Sequence, residues 1–207
     1  MYLLVALFLL SVMLGMRAAF NLYMNVYYFE LLPAQIALYV IGSAVGYVTA
    51  FSLTTAIHRR FDKRATIVVS AIFLSIIPAV PVMLRMASYF PDNGTSLLLP
   101  TMIAFSGLAG VFGAILNISV MSALADIADE NELLYGQRQE GMLYSARTFF
   151  AKADNALGHF LAGVALDIIQ FPVKSTPGEV DPEVIYWLGM LDSPISGTPP
   201  MVRGLTS

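Results

Sequence analysis

The sequence predicts an all-α bundle of membrane-spanning helices, and three observations lead there. Hydrophobic residues make up 57% of the chain and charged residues only 12%, whereas soluble domains carry about 25% charged residues. The apolar residues gather into five runs, each close to or above the roughly 20 residues a helix needs to cross the hydrocarbon layer. Short polar connectors separate the runs, as they do between antiparallel helices, which satisfy their backbone groups internally in lipid.

The elements follow in order. The first run, Leu3–Phe29, is apolar almost from its start, and its first basic residue is Arg17. A secretory signal instead begins basic and keeps its apolar core short, so this run reads as a spanning helix. The second, Ile36–Ile57, follows "ELLPAQ" and carries Gly42 and Gly46 in a GxxxG pair. "HRRFDKR" leads into the third, Ala65–Met86, where Pro78 and Pro81 each lack an N–H and predict a kink. "ASYFPDNGTS" precedes the fourth, Leu97–Ala125, with Gly107, Gly110 and Gly113 at every third position. The simplest role for both glycine sets is close helix packing.

The connector "ADIADENELLYGQRQEG", Ala125–Gly141, holds Asp126, Asp129, Glu130, Glu132 and Glu140 with a single arginine, Arg138. The fifth run is Met142–Ile169. Residues 1–172 thus form a five-helix bundle. Residues 173–207 read as a Pro- and Gly-rich external loop and a truncated or irregular tail, too polar to span well. An odd number of spans makes the chain read as part of a larger protein.

Loop charge sets the orientation. Arg59, Arg60, Lys63, Arg64 and Arg138 lie on one side, Arg85 and Lys174 on the other. That asymmetry places the connectors around Phe61 and Gly136 in the cytoplasm, and the N-terminus with them. The expected location is a plasma or inner cell membrane, crossed several times. A net charge of −3 gives no clustered cations for nucleic acid. The chain has no cysteine, and its two histidines, His58 and His159, form no metal-ligand set. The spans contain no paired catalytic carboxylates and no nucleophile–base motif, so an enzyme is not expected.

Charges inside spans carry the functional signal, because each costs about 2.5–3.5 kcal/mol at a helix centre. At 100° per residue, Tyr144, Thr148, Lys152, Asn155 and His159 fall on one stripe of the fifth helix. Arg147, Ala151, Asp154 and Gly158 form a second. Arg17, Asn21, Met24 and Tyr28 share a face of the first helix, with Asn25 nearby. Ser106, Gly110, Gly113 and Asn117 share one of the fourth. Three such stripes can surround a water-filled cavity. Blander roles remain open: Arg17 can pair with a backbone carbonyl, Arg147 can snorkel to the interface, and His159 can serve packing. Lys152 sits almost three turns inside, beyond easy snorkelling, which favours a cavity.

The run from Ala125, Asp126, Ile127, Asp129, Glu132, Gly136, Arg138 and Glu140 to Tyr144, Ser145, Thr148 and Lys152 resembles the glycoside–pentoside–hexuronide:cation symporters. That family, which includes melibiose permease, belongs to the major facilitator superfamily. "FNLYMNVYYF" is similar to its seventh helix. The resemblance extends to about Pro172. It implies the C-terminal half of a twelve-helix carrier: helices seven to eleven, with a degraded or truncated twelfth. It implies that a six-helix N-terminal half is missing. It implies cation (Na+ or H+)-coupled symport of a small solute, such as a sugar, with no other cofactor.

By the same resemblance, Lys152 and Thr148 belong beside the solute and cation site, and Asp126, Asp129 and Arg138 to a cytoplasmic charge network. With the polar stripes, the candidate pocket is Lys152, Thr148, Asn155, Tyr144, Asn117, Arg17 and Asn21. The candidate cytoplasmic gate is Asp126, Asp129, Glu132, Arg138 and Glu140. Melibiose permease has a tryptophan where this chain has Asn117, which argues against galactoside recognition by stacking. Two alternatives stay open: a non-transporting binding or regulatory half-module, and a carrier of lipid or amino-acid-like solutes.

Overall fold

Seven α-helices make up the computed structural model, which describes residues 2–136, 140–172 and 175–192. They are α1 (Tyr2–Tyr23), α2 (Pro33–His58), α3 (Lys63–Ile76), α4 (Ala79–Met86), α5 (Leu98–Tyr135), α6 (Glu140–Ile168) and α7 (Pro182–Asp192). The described residues contain no strand. Pro33–His58, Lys63–Met86 and Leu98–Tyr135 are long and apolar enough to cross a membrane. At 29 residues α6 is long enough too, roughly 43 Å at the rise of an α-helix, but it carries several charges. The chain is an all-α transmembrane bundle.

Glycine contacts set the layout. A Cβ added at Gly46 would fall 1.9 Å from the Gly107 carbonyl oxygen, and one at Gly110 would fall 2.3 Å from the Ser43 carbonyl oxygen. The α2 and α5 backbones therefore touch, as small residues permit where lipid supplies no hydrophobic drive for association. A second crossing joins α1 to α6, where a Cβ at Gly158 would lie 2.6 Å from the carbonyl carbon of Gly15. The third helix packs against α5. Phe20, Val82 and Leu188, on α1, α4 and α7, belong to one buried cluster, so the largest side chains fill the space where the helix pairs meet.

Two local departures from regular helix occur, and a third stretch is more regular than expected. After Tyr23, α1 widens into a π-helical turn, Met24–Tyr28, which buries Met24, Asn25 and Tyr28. The kink expected in the third span is a break: α3 stops at Ile76 and α4 starts at Ala79. Pro78 cannot donate to the Leu74 carbonyl four residues earlier, and its ring crowds that turn. The acidic connector is helical rather than a loop as far as Tyr135. No proline or glycine interrupts Ala125–Tyr135, and Ala, Leu and Glu favour helix. It ends at Gly136, whose φ of 67° is left-handed and whose N–H bonds the Glu132 carbonyl, as C-terminal glycines do.

In the tail, α7 buries Leu188 completely and sets Gly189 against the Tyr28 ring. Arg138, Lys174 and residues 193–207 lie outside the described residues.

Candidate functional site

The two stripes of α6 meet different surroundings. Tyr144, Thr148 and Lys152 recur every fourth residue and, with Ser145 and Phe149, line an open hollow of about 460 Å3. All five residues belong to α6, so no other described helix covers this face. The Thr148 hydroxyl donates to the Tyr144 carbonyl (2.8 Å), which leaves its lone pairs facing outward. Lys152 is exposed and has no ion pair among the described residues. Further along α6, Asn155 donates to the Ala151 carbonyl (2.9 Å), and Nδ1 of His159 is 2.8 Å from the Asn155 carbonyl.

The second stripe borders other helices. Arg147, Ala151 and Asp154, together with Asn155, line an open groove of about 500 Å3 shared with Gly15 of α1, Ala71 of α3 and Asn117 of α5. Arg147 does not snorkel: its Nη2 donates to the Asn117 side-chain oxygen at 3.2 Å. This bond ties α6 to α5.

Arg17 and Asn21 line a third cavity, of about 430 Å3, with Asn25, Tyr39, Ser106 and Asp192. Arg17 donates to the Ser75 carbonyl at the α3–α4 break. A cation there meets the negative end of the α3 dipole. Its Nε lies 3.6 Å from the Asp192 carboxylate, and both side chains are largely buried. Asn21 donates to the Tyr39 hydroxyl (3.2 Å), Asn25 to Asn21 (3.0 Å), and Ser106 to the Tyr39 carbonyl (2.7 Å).

The seven candidate pocket residues therefore lie in three places rather than around one cavity. Tyr144, Thr148 and Lys152 share the open face. Asn117 and Asn155 share the groove between α1, α3, α5 and α6, and Arg17 and Asn21 share the third hollow. Helical periodicity groups residues on one helix, but the pairing of helices decides which stripes meet. Asp192 and Tyr39 escaped the sequence reading: Asp192 sits in a polar tail, and Tyr39 looks like an ordinary interfacial aromatic. A lone acid after an apolar run was the only available signal for Asp192.

At the far end of α5 the gate candidates ride on helix. Asp126 pairs with Lys63 at 2.5 Å, linking α5 to the start of α3. Asp129 and Glu132 are exposed on the last turns of α5, and Glu140 opens α6. Arg138 lies outside the described residues. Among the described residues no group of three or more His, Cys, Asp or Glu could hold a metal ion.

Residues 1–196 match the family described as MFS/sugar transport protein. The chain is also 33% identical, over 97 residues, to an uncharacterized symporter of Synechocystis sp.. That stretch is 45% of this chain and 17% of the symporter, so the match spans under a fifth of that protein's length. No solved structure matches the chain.

Proposed function

The chain belongs to the MFS/sugar transport protein family, a family of membrane transporters rather than enzymes, and from that premise we propose that it works as a cation-coupled secondary transporter of a sugar or related small polar solute. The observation that carries this reading is the uncovered face of α6. Lys152, exposed between Thr148 and Tyr144 on one open hollow, would face hydrocarbon if nothing covered it. That placement costs about 2.5–3.5 kcal/mol on insertion scales. An aqueous path removes the cost, and in such carriers the site lies between two repeats that rock about it.

A second six-helix bundle covers this face and supplies a carboxylate to Lys152. The resemblance to the glycoside–pentoside–hexuronide:cation symporters supports that arrangement, as does the word symporter in the relative's name. Sugar hydroxyls accept from the ammonium and exchange hydrogen bonds with the Tyr144 and Thr148 hydroxyls. The charges at the end of α5, with Lys63–Asp126 among them, close the cytoplasmic side. The loops around Phe61 and Gly136 are cytoplasmic.

Uptake tests the reading. The full-length protein in sealed vesicles should accumulate a labelled solute from a panel of sugars when a Na+ or H+ gradient is imposed. Uptake that equilibrates without responding to either gradient would leave a facilitator. Binding without any flux would leave a non-transporting module.

A further inference from the structure

The turn between α2 and α3 gathers positive charge that no described acid uses. Arg59, Arg60, Lys63 and Arg64 crowd into one short stretch. Lys63 is taken by Asp126. Arg59, Arg60 and Arg64 are exposed and make no ion pair among the described residues. The acid within the turn, Asp62, stands at the N-cap of α3 but makes no side-chain cap bond. The first N–H groups and the positive dipole end of α3 therefore add to the arginines.

A basic turn by itself only sets topology. This one adjoins an apolar hollow of about 220 Å3, lined by Ile57 of α2, Phe61 of the turn, Ala65 and Val69 of α3, and Phe112 and Ile115 of α5. Ile57 and Phe61 flank Arg59 and Arg60 in sequence, and Ala65 directly follows Arg64. Cations and apolar wall thus share one end of the helix pair. Thr66 and Ser70, also on the wall, are buried, and Thr66 gives its hydroxyl to the Asp62 carbonyl. Phe61, Ala65 and Val69 are exposed, so the hollow opens to the outside of the bundle, where lipid lies. Phe112 stacks on Phe73 with ring centres 4.6 Å apart, which holds that wall in place.

We propose that this turn and hollow bind one anionic phospholipid, its headgroup against Arg59, Arg60 and Arg64 and one acyl chain in the hollow. A guanidinium offers phosphate paired N–H donors. The apolar wall has nothing to offer a free phosphate ion, whereas an amphiphile with an anionic head satisfies both parts at once. The orientation proposed above sets the turn at the cytoplasmic leaflet, which carries the anionic lipids. A lipid seated there braces α2, α3 and α5, the helices that line the hollow.

Native mass spectrometry of the full-length protein in a non-ionic detergent counts bound lipids and needs no solute, so its outcome is independent of uptake. Dioleoyl-phosphatidylglycerol should fill one site ahead of all others, at least about tenfold tighter than dioleoyl-phosphatidylcholine. Arg60→Gln should weaken that site about fivefold, and the combined Arg59→Gln, Arg60→Gln and Arg64→Gln variant should erase the preference between the two lipids. Ala65→Leu narrows the hollow and should weaken both lipids. These side chains are exposed, so every variant should elute as the wild type does. Inorganic phosphate should not displace the lipid. Equal affinity for the two lipids, displacement of phosphatidylglycerol by inorganic phosphate, or undiminished binding by the triple-arginine or the Ala65→Leu variant overturns the proposal.

Discussion

Replacing Gly46 by alanine should break the tightest contact in the bundle. The added methyl would lie 1.9 Å from the Gly107 carbonyl oxygen, 2.8 Å from its carbonyl carbon and 3.1 Å from its Cα. Ordinary contact begins at 3.4 Å, so the helices must separate by about 1.5 Å, the difference of the two distances. Every atom in the way is backbone, and no rotamer change can make room. A shift of that size also loosens the neighbouring Gly110–Ser43 and Gly42–Ile103 contacts. Overpacking costs typically 1–3 kcal/mol, and a clash of backbone with backbone belongs at about 3 kcal/mol. For a chain of this length that corresponds to a fall of roughly 6–12 °C in melting midpoint. Gly113→Ala is the control: its Cβ would meet only Leu74 Cδ1, at 3.7 Å, so the change should stay within about 0.5 kcal/mol. Thermal unfolding of both variants in one detergent decides. A Gly46→Ala protein that melts with the wild type would refute the close α2–α5 approach.

The remaining predictions concern charges. Arg17→Met strands the largely buried Asp192 carboxylate and should cost about 3–5 kcal/mol. Adding Asp192→Leu should recover a large part of it, whereas strictly additive losses in the melting cycle would show that the pair does not interact. Asp126→Asn should change stability by less than about 1 kcal/mol, because the Lys63 pair is exposed. It should, however, open the cytoplasmic side, read as longer spin-label distances across that face. The absence of cysteine makes topology direct to measure. An impermeant thiol reagent should label Ser96→Cys from outside and leave Phe61→Cys untouched until the membrane is opened; the reverse pattern would invert the orientation.

Much of the helical layout was legible because lipid demands long apolar runs whatever the packing. The Gly42–Gly46 pair and the glycines of α5 announced a close crossing, and Gly46 and Gly110 make it. Proline chemistry marked the place where α3 gives way to α4, but not that Arg17 of α1 would bond the Ser75 carbonyl beside it. The acidic stretch misled because polar composition suggests a loop. With Ala, Leu and Glu and no breaker before Gly136, it propagates helix into water. The site was least legible. Stripes on α1, α5 and α6 were visible, yet which stripes face each other depends on α1 pairing with α6 and α2 with α5. No single helix records that choice.

The most direct test of the account is gradient-driven solute uptake by the full-length protein carrying Lys152→Ala. Lys152 occupies the open face of α6 with Thr148 and Tyr144, and no described helix packs over it, so its loss should leave folding and membrane insertion nearly intact, since removing a charge from a span favours insertion. Coupled uptake should vanish. Lys152→Arg should restore it only partly, because a planar guanidinium cannot replace a compact ammonium. Coupled uptake by the alanine variant at near-normal affinity would contradict the account and leave Lys152 a structural residue.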